Sequence, residues 1–281
     1  MMARPRSRTA AGGIRRTRPV RRASARLTHV RAGAALTMLL SAGAIYGAGA
    51  SPAFDVSRIA VSELRYTDRG TIVSRLAVPD DANAFTLATE PLELRLRQLP
   101  TVAQASVGVR LPGTLAVEVA EREPILVWQV GERGLLADRE GVLFAELGPG
   151  GERRPAGLPV VADERESSAG YAVGTRLDPV DLDAATRLAA LRPADVGSAG
   201  PHLALAVTDA SGFVLAGAAG WRAVFGFYTP SLRTPGIIPG QVRLLRSLLV
   251  EQGERNVARV ILAAEDEGVF TTPTPSSRPS P

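Results

Sequence analysis

The sequence predicts an α+β protein with one N-terminal transmembrane helix, a small domain of strand–helix–helix–strand–strand order, and a β-rich domain with helices packed on an antiparallel sheet. Three observations predict this class. A 23-residue stretch, 32–54, carries no charge. Two runs in which apolar residues alternate, near 107–111 and 115–119, flank a Pro-Gly turn. Beyond residue 124, strand-like runs are interrupted by two amphipathic helical patterns.

The uncharged stretch separates two parts of opposite charge. Ten arginines and no acidic residue precede it, whereas all 28 acidic residues follow it. A helix of this length would reach about 34 Å, enough to cross the roughly 30 Å core of a bilayer. The arginine excess predicts a cytoplasmic tail over residues 1–31 and an extracytoplasmic chain from Asp55, as in a single-pass type II protein of the cell (inner) membrane. Cleavage is the alternative, because Ala48-Gly49-Ala50 has the form of a signal-peptidase site.

Composition argues against several classes of function. Residues 55–281 carry 23 arginines and 28 acidic residues, so this part is acidic despite a pI near 10.5, and no nucleic-acid partner is expected. The chain has no cysteine and two histidines, too few for a structural zinc site. It contains neither a Gly-rich phosphate loop nor a G-x-S-x-G motif. We therefore expect no catalytic residue, no cofactor and no metal, that is, a protein that is not an enzyme.

The first folded domain is predicted over residues 55–123. A strand leaves the uncharged stretch and is followed by a helix that Thr67 caps. A second helix fits Thr89 to Leu99, with a proline in its first turn. Pro112-Gly113 then fits a type II turn between two alternating strands, which predicts a hairpin with one buried face.

Five short motifs in this region resemble, in order, the POTRA domain of the FtsQ/DivIB cell-division family. They are Phe54-Asp55-Val56, Asn83-Ala84-Phe85-Thr86-Leu87, Leu99-Pro100-Thr101-Val102-Ala103-Gln104-Ala105, Leu111-Pro112-Gly113-Thr114-Leu115, and Glu121-Arg122-Glu123-Pro124 with Trp128. The resemblance covers residues 32–145 well and the remainder loosely. It implies a bitopic scaffold that is held in the membrane by residues 32–54, binds FtsB/DivIC-like and FtsL-like division proteins, and supports septum assembly.

Residues 124–270 are predicted to form the second domain, which the resemblance identifies as the FtsQ-type β domain. Asp178 and Pro179 begin one helix, and residues 241–252 form another. The last strand is expected from Asn256 to Ala264. Residues 271–281 are rich in Pro, Ser and Thr, which predicts a disordered tail.

A docking strand is the first candidate site. A strand at the margin of a sheet leaves backbone N–H and C=O groups with which a partner strand can pair. The resemblance implies docking at the end of the β domain, on Val257, Arg259, Val260, Ile261 and Leu262, with an extension over residues 263–269. An ordinary interior strand is the alternative interpretation of these residues.

The junction of the two domains is the second candidate site. Glu121, Arg122 and Pro124 form a candidate hinge there, because proline stiffens the chain and removes a hydrogen-bond donor. The alternative is that the two charges are ordinary surface groups at a strand end. Two alternative functions also stay open: a POTRA protein of outer-membrane assembly or secretion, and a secreted enzyme that signal peptidase releases after Ala50.

Overall fold

The computed structural model describes residues 29–49, 51–148 and 155–273. Most of the predicted cytoplasmic tail and most of the predicted disordered C-terminal tail lie outside the described residues. The described chain from Pro52 onward forms one compact unit, and helix α1 (His29–Gly49) belongs to a separate unit.

Helix α1 covers much of the stretch that was predicted to span a membrane. Residues 52–54 of that stretch instead form a short 3₁₀ helix, and the Phe54 carbonyl accepts a hydrogen bond from the Ala84 N–H at 2.8 Å. They therefore belong to the folded unit that follows. Across the part of the chain that the structure describes, no helix combines the length and the apolar character that crossing a membrane takes.

The first domain consists of β1 (Arg58–Val61), α2 (Arg69–Leu76), α3 (Glu90–Arg97), β2 (Val102–Arg110) and β3 (Thr114–Glu121). Its sheet has the order β1-β3-β2, in which β1 runs parallel and β2 antiparallel to β3. Apolar side chains from both helices and from the inner face of the sheet form its core: Ile72, Leu76, Leu92, Leu96, Leu115 and Val117. The predicted order of elements is confirmed.

Two local details of this domain differ from the predictions. Asp68 caps α2 instead of Thr67, because its carboxylate accepts the Thr71 N–H at 3.2 Å, while the Thr67 hydroxyl donates to Thr101 at 2.7 Å. The hairpin connection is a three-residue loop and not a type II turn, since Arg110 pairs with Thr114 and Gly113 lacks the required positive φ. A side chain at Gly113 would collide with the backbone at Asp55, so close approach requires the glycine.

The second domain contains the strands β4 (Leu126–Val130), β5 (Arg133–Ala137), β6 (Leu143–Glu146), β7 (Val160–Asp163), β8 (Leu203–Thr208), β9 (Gly212–Gly217), β10 (Arg222–Gly226), β11 (Arg259–Leu262) and β12 (Gly268–Thr271). Within the described residues they form one sheet of order β12-β11-β10-β9-β8-β7-β4-β5-β6. The predicted antiparallel sheet is in fact mixed, since the pairs β4–β7, β7–β8 and β10–β11 are parallel. Parallel neighbours need a long crossover, and the last two pairs are joined through the helices of this domain.

Helices α4 (Pro179–Ala189) and α5 (Ile238–Gln252) pack against this sheet. Asp178 caps α4 as predicted, because its carboxylate accepts the N–H groups of Val180 and Asp181. Helix α5 begins three residues earlier than predicted. The core between helices and sheet holds the largest buried side chains of the domain, which include Trp128, Phe213, Trp221, Phe225, Leu245 and Leu249. Strand β12 was not predicted as a separate strand.

Candidate functional site

A sheet accepts a partner strand only along its outermost strands. In the described chain these are β1 and β2 in the first sheet and β6 and β12 in the second. Three of these four strands already make hydrogen bonds on their outer side.

The outer side of β2 is occupied by two side chains of α3. Glu93 Oε1 accepts the Val107 N–H at 3.0 Å, and Arg97 Nη2 donates to the Ala105 carbonyl at 3.2 Å. The same two side chains form an ion pair of 3.0 Å. A strand approaching β2 would therefore have to displace a paired carboxylate and guanidinium from the backbone.

The outer sides of β1 and β6 are also occupied. Arg69 Nη2 donates to the Ile59 carbonyl at 2.9 Å, on the side of β1 that faces away from β3. The N–H of Leu143 in β6 donates to the Thr175 carbonyl at 2.8 Å, and the Leu143 carbonyl accepts the Gly174 N–H at 2.7 Å. Both strands are therefore shielded, one by a side chain and the other by a loop.

Strand β12 differs from the other three. The carbonyls of Glu267 and Thr271 accept N–H groups from the β11 side, and backbone groups alternate in direction along a strand. The N–H and C=O groups of Gly268 and Phe270 therefore face away from β11, where no other strand of the described chain pairs with them. All four residues of β12 are exposed, including the apolar side chain of Val269. This edge is open to strand addition.

The residues of the predicted docking strand lie one strand inside the margin of the sheet. Val257 and the β11 residues Arg259, Val260, Ile261 and Leu262 do not lie at the margin, because β11 pairs with β10 on one side and β12 on the other. The chain turns after Ala264 and returns as β12. Gly268 and Val269 lie in the predicted extension over residues 263–269, whereas Phe270 and Thr271 lie beyond it, and Thr271 belongs to this strand and not to a disordered tail. The side chains of Val257, Val260 and Leu262 are buried in the core, while Arg259 and Ile261 lie on the exposed face.

Two polar side chains hydrogen-bond to the sheet at the ends of β10 and β11, next to the turn that leads into β12. Arg233 Nη2 donates to the carbonyls of Phe225 and Leu262, each at 2.6 Å. Gln241 Nε2 donates to the same Leu262 carbonyl at 2.9 Å, and Gln241 Oε1 accepts the Tyr228 hydroxyl at 2.7 Å. Burial raises the pKa of Tyr228 well above its ordinary value. The sequence analysis did not predict these roles. A polar Gln241 beside the apolar stripe of α5 was the available indication of a buried hydrogen-bonding group.

Glu121, the first of the predicted hinge residues, serves the first domain alone. Its carboxylate accepts the backbone N–H groups of Arg65, Tyr66 and Thr67, the shortest of these contacts being 2.6 Å. Burial raises the pKa of this carboxyl, but the hydrogen bonds from Thr67 and from the three N–H groups outweigh burial and lower it below the ordinary value. Glu121 therefore fixes the loop before α2.

Arg122, the second hinge residue, connects the two domains. Its guanidinium pairs with Asp138 and, at 3.1 Å, with Glu140, both in the turn after β5. Its Nε donates to the Pro100 carbonyl of the first domain at 2.9 Å. Burial lowers the pKa of Arg122, but the hydrogen bonds and charges of both acidic partners raise it above the ordinary value. The sequence did not indicate these acidic partners.

Backbone hydrogen bonds hold the chain on both sides of Pro124. The Arg122 N–H donates to Thr101 in the first domain, and the Ile125 N–H donates to Ala137 in the second. Pro124 thus lies in a connection of two residues between anchored points. Beside it, the ring of Tyr66 packs edge-on against Phe144, with a centroid distance of 5.3 Å. The structure brings together Arg122 and the Pro124 link, but not Glu121, at the contact between the domains.

Among the described residues, no three His, Cys, Asp or Glu side chains cluster in a way that could hold a metal ion. The arrangement of the strands instead offers a backbone edge with polar supports behind it, which suits pairing with another chain.

Residues 54–122 match the family model described as "POTRA domain, FtsQ-type". These residues form an FtsQ-type POTRA domain. The match begins in the 3₁₀ helix before β1 and ends at Arg122, so it includes every strand and helix of the first domain. The resemblance predicted from the five sequence motifs is confirmed for this domain.

The FtsQ-type match extends to curated proteins named "Cell division protein FtsQ". The chain is 32% identical over 133 residues to that of Streptomyces bingchenggensis, covering 47% of this chain and 49% of the relative. It is 30% identical over 115 residues to that of Streptomyces griseus, covering 41% and 53%. For Myxococcus fulvus the values are 31% over 100 residues, covering 36% and 35%. The chain spans about half or less of the length of these relatives.

Proposed function

We propose that this chain is a bitopic cell-division scaffold of the FtsQ type, which binds FtsB/DivIC-like and FtsL-like division proteins and supports septum assembly. The FtsQ-type POTRA domain and the names of the relatives support a role in cell division. The open edge of β12 is the observation that supports binding, because it is the one outer strand in the described sheets without hydrogen bonds on its free side.

The proposal includes a location in the cell (inner) membrane. The N-terminal tail is cytoplasmic, α1 holds the protein in the membrane, and the chain from Pro52 acts outside the cytoplasm. The uncharged stretch that begins at Ala32 supports this topology, as do the ten arginines that precede it. The scaffold needs no catalytic group, since it works by bringing division proteins together.

Docking on β12 would use the backbone for affinity and the neighbouring side chains for selectivity. A partner strand would pair with the N–H and C=O groups of Gly268 and Phe270, which extends the sheet by one strand. Val269 and Ile261, both exposed, lie side by side on one face and offer apolar contact to the partner's side chains. The Arg122 junction would hold the POTRA domain in a fixed orientation while the partner binds.

A proline substitution in β12 tests this proposal. Phe270→Pro removes an N–H that faces the free side, so it deletes a bond to the partner strand without deleting a bond to β11. We expect the affinity for a copurified complex of FtsB-like and FtsL-like proteins to fall at least about tenfold, the equivalent of roughly 1.4 kcal/mol.

Phe270→Ala is the matched control, because it removes the same ring and keeps the N–H. We expect this variant to bind more tightly than Phe270→Pro, with both variants retaining the parental melting temperature to within a few degrees. Equal binding by Phe270→Pro and the parent protein would contradict docking by strand addition at β12.

A further inference from the structure

The POTRA domain exposes an apolar tip at the end where the chain enters it. The tip consists of Phe54, Phe85, Leu111 and Pro112. Phe85 is 48% exposed and Leu111 is 56% exposed, although both are large apolar side chains. The rings of Phe54 and Phe85 pack edge-on with a centroid distance of 4.7 Å, so the exposed aromatic surface is held in a fixed shape.

Backbone contacts bring the parts of this tip together. The Phe54 carbonyl accepts the Ala84 N–H at 2.8 Å, which places Phe85 beside the entering chain. The β2–β3 loop reaches the same point, because the Gly113 carbonyl accepts the Ser57 N–H at 2.9 Å. The tip is therefore built from three segments that are distant in sequence, and it presents their apolar residues to solvent.

The charges around the tip do not favour a strongly charged partner. Arg58 and Arg110 lie in register with Thr114 across the sheet and are exposed. Asp80 and Asp81, also exposed, precede the segment that pairs with the entering chain. Arginines and aspartates of similar number thus surround an apolar centre, a combination suited to the zwitterionic interface of a lipid bilayer.

We propose that this tip rests in the interface of the membrane that holds α1. The proposal rests on the membrane anchor of the proposed function. In the sequence, Ala50 and Ser51 separate the proposed anchor from Pro52, and the folded unit begins beside the tip. Aromatic side chains are favoured at the headgroup level of a bilayer. The contact orients the POTRA domain on the bilayer surface.

Tryptophan fluorescence of the whole chain in phosphatidylcholine vesicles tests this contact. Phe85→Trp places a reporter on the tip, while the native Trp128 and Trp221 are both fully buried within the second domain. The vesicles contain lipids brominated near the headgroup end of the acyl chain, because interfacial groups insert roughly 5–10 Å. We expect the bromine atoms to quench the fluorescence of the introduced tryptophan by a factor of about two or more. Leu232→Trp is the control, since Leu232 is 94% exposed in the second domain and its emission should not change.

The outcomes separate this contact from the anchor. If the protein floats with the vesicles but Phe85→Trp is not quenched, the tip contact is wrong and the anchor stands. If the protein fails to float, the anchor is wrong and the tip contact with it. Leu111→Trp gives the same readout should Phe85→Trp fail to fold. Quenching that requires anionic lipid would contradict apolar insertion, because it would indicate binding to headgroup charge instead.

Discussion

The Arg122 junction gives the sharpest prediction for stability. Arg122→Met removes the guanidinium and keeps much of the apolar stem. Asp138, whose side chain is 8% exposed, then loses its cation, and breaking a buried ion pair costs roughly 3–5 kcal/mol. The loss here is smaller, because Asp138 still accepts the N–H groups of Glu140 and Val142 at 2.9 Å each. The exposed Glu140 carboxylate adds at most about 1 kcal/mol.

We therefore expect Arg122→Met to lower the free energy of unfolding by about 2–3 kcal/mol. In a folded unit of this size each kcal/mol lowers the melting temperature by about 2–4 °C, so the shift should be roughly 5–10 °C. Arg133→Met is the matched control. It removes the ion pair of Arg133 with Glu146, whose side chains are 42% and 43% exposed, and should leave the melting temperature nearly unchanged.

The two buried tryptophans make the assay specific. Trp128 and Trp221 both lie in the second domain, so their fluorescence follows its unfolding, whereas far-ultraviolet circular dichroism follows both domains. The two signals should coincide in the parent protein and separate in Arg122→Met. A shift no larger than that of Arg133→Met, or coincident signals in Arg122→Met, would refute the interpretation of Arg122 as the link between the domains.

Two further predictions concern buried polar groups in the second domain. Burial raises the pKa of Asp163, but Arg165 lowers it below the ordinary value, so its stabilisation is present above about pH 4 and is lost as the pH falls through the folded pKa. At pH 7 the urea midpoint of Asp163→Asn should be lower than that of the parent protein. Between pH 5 and pH 3 the midpoint of the variant should fall less than that of the parent, and an equal fall in both proteins would contradict this role of Asp163. Gln241→Leu leaves the Tyr228 hydroxyl without its acceptor, while the Leu262 carbonyl keeps its hydrogen bond from Arg233. Urea unfolding should show a loss of about 1–3 kcal/mol, and an unchanged free energy of unfolding would be contrary evidence.

Local patterns predicted much of the POTRA domain. The alternation around Pro112-Gly113 corresponds to buried Val107, Leu115 and Val117 in paired strands, because one face of that sheet packs on the helices. The exact turn was not predictable in the same way. At this loop Gly113 approaches the backbone of Asp55 closely, a contact between residues far apart in the sequence.

The residues predicted for docking lie on β11, which pairs with a strand on each side, and the free margin of the sheet is the next strand, β12. Strand β11 alternates buried and exposed residues, so it carries a clear signal. Strand β12 has no buried face, so the periodicity of apolar residues could not reveal it. An open edge strand leaves little trace of this kind, since its unpaired backbone groups have no signature in the pattern of side chains.

The mixed character of the large sheet was also outside the reach of local patterns. The parallel strands β10 and β11 are separated in the sequence by the segment 227–237 and the whole of α5. Arg233 closes this crossover by donating to carbonyls on both strands. A charged residue in a loop between prolines is usually solvated, so its buried role could be seen only in the fold.

Amide hydrogen exchange tests the central claim most directly. The measurement compares the free protein with its complex with FtsB-like and FtsL-like proteins. Strand addition predicts that the outward N–H groups of Gly268 and Phe270 gain at least about tenfold protection on binding. The Val107 N–H, already bonded to Glu93, should not change. Binding that leaves Gly268 and Phe270 unprotected, or that protects β2 instead, would contradict a scaffold that docks its partners at the edge of β12.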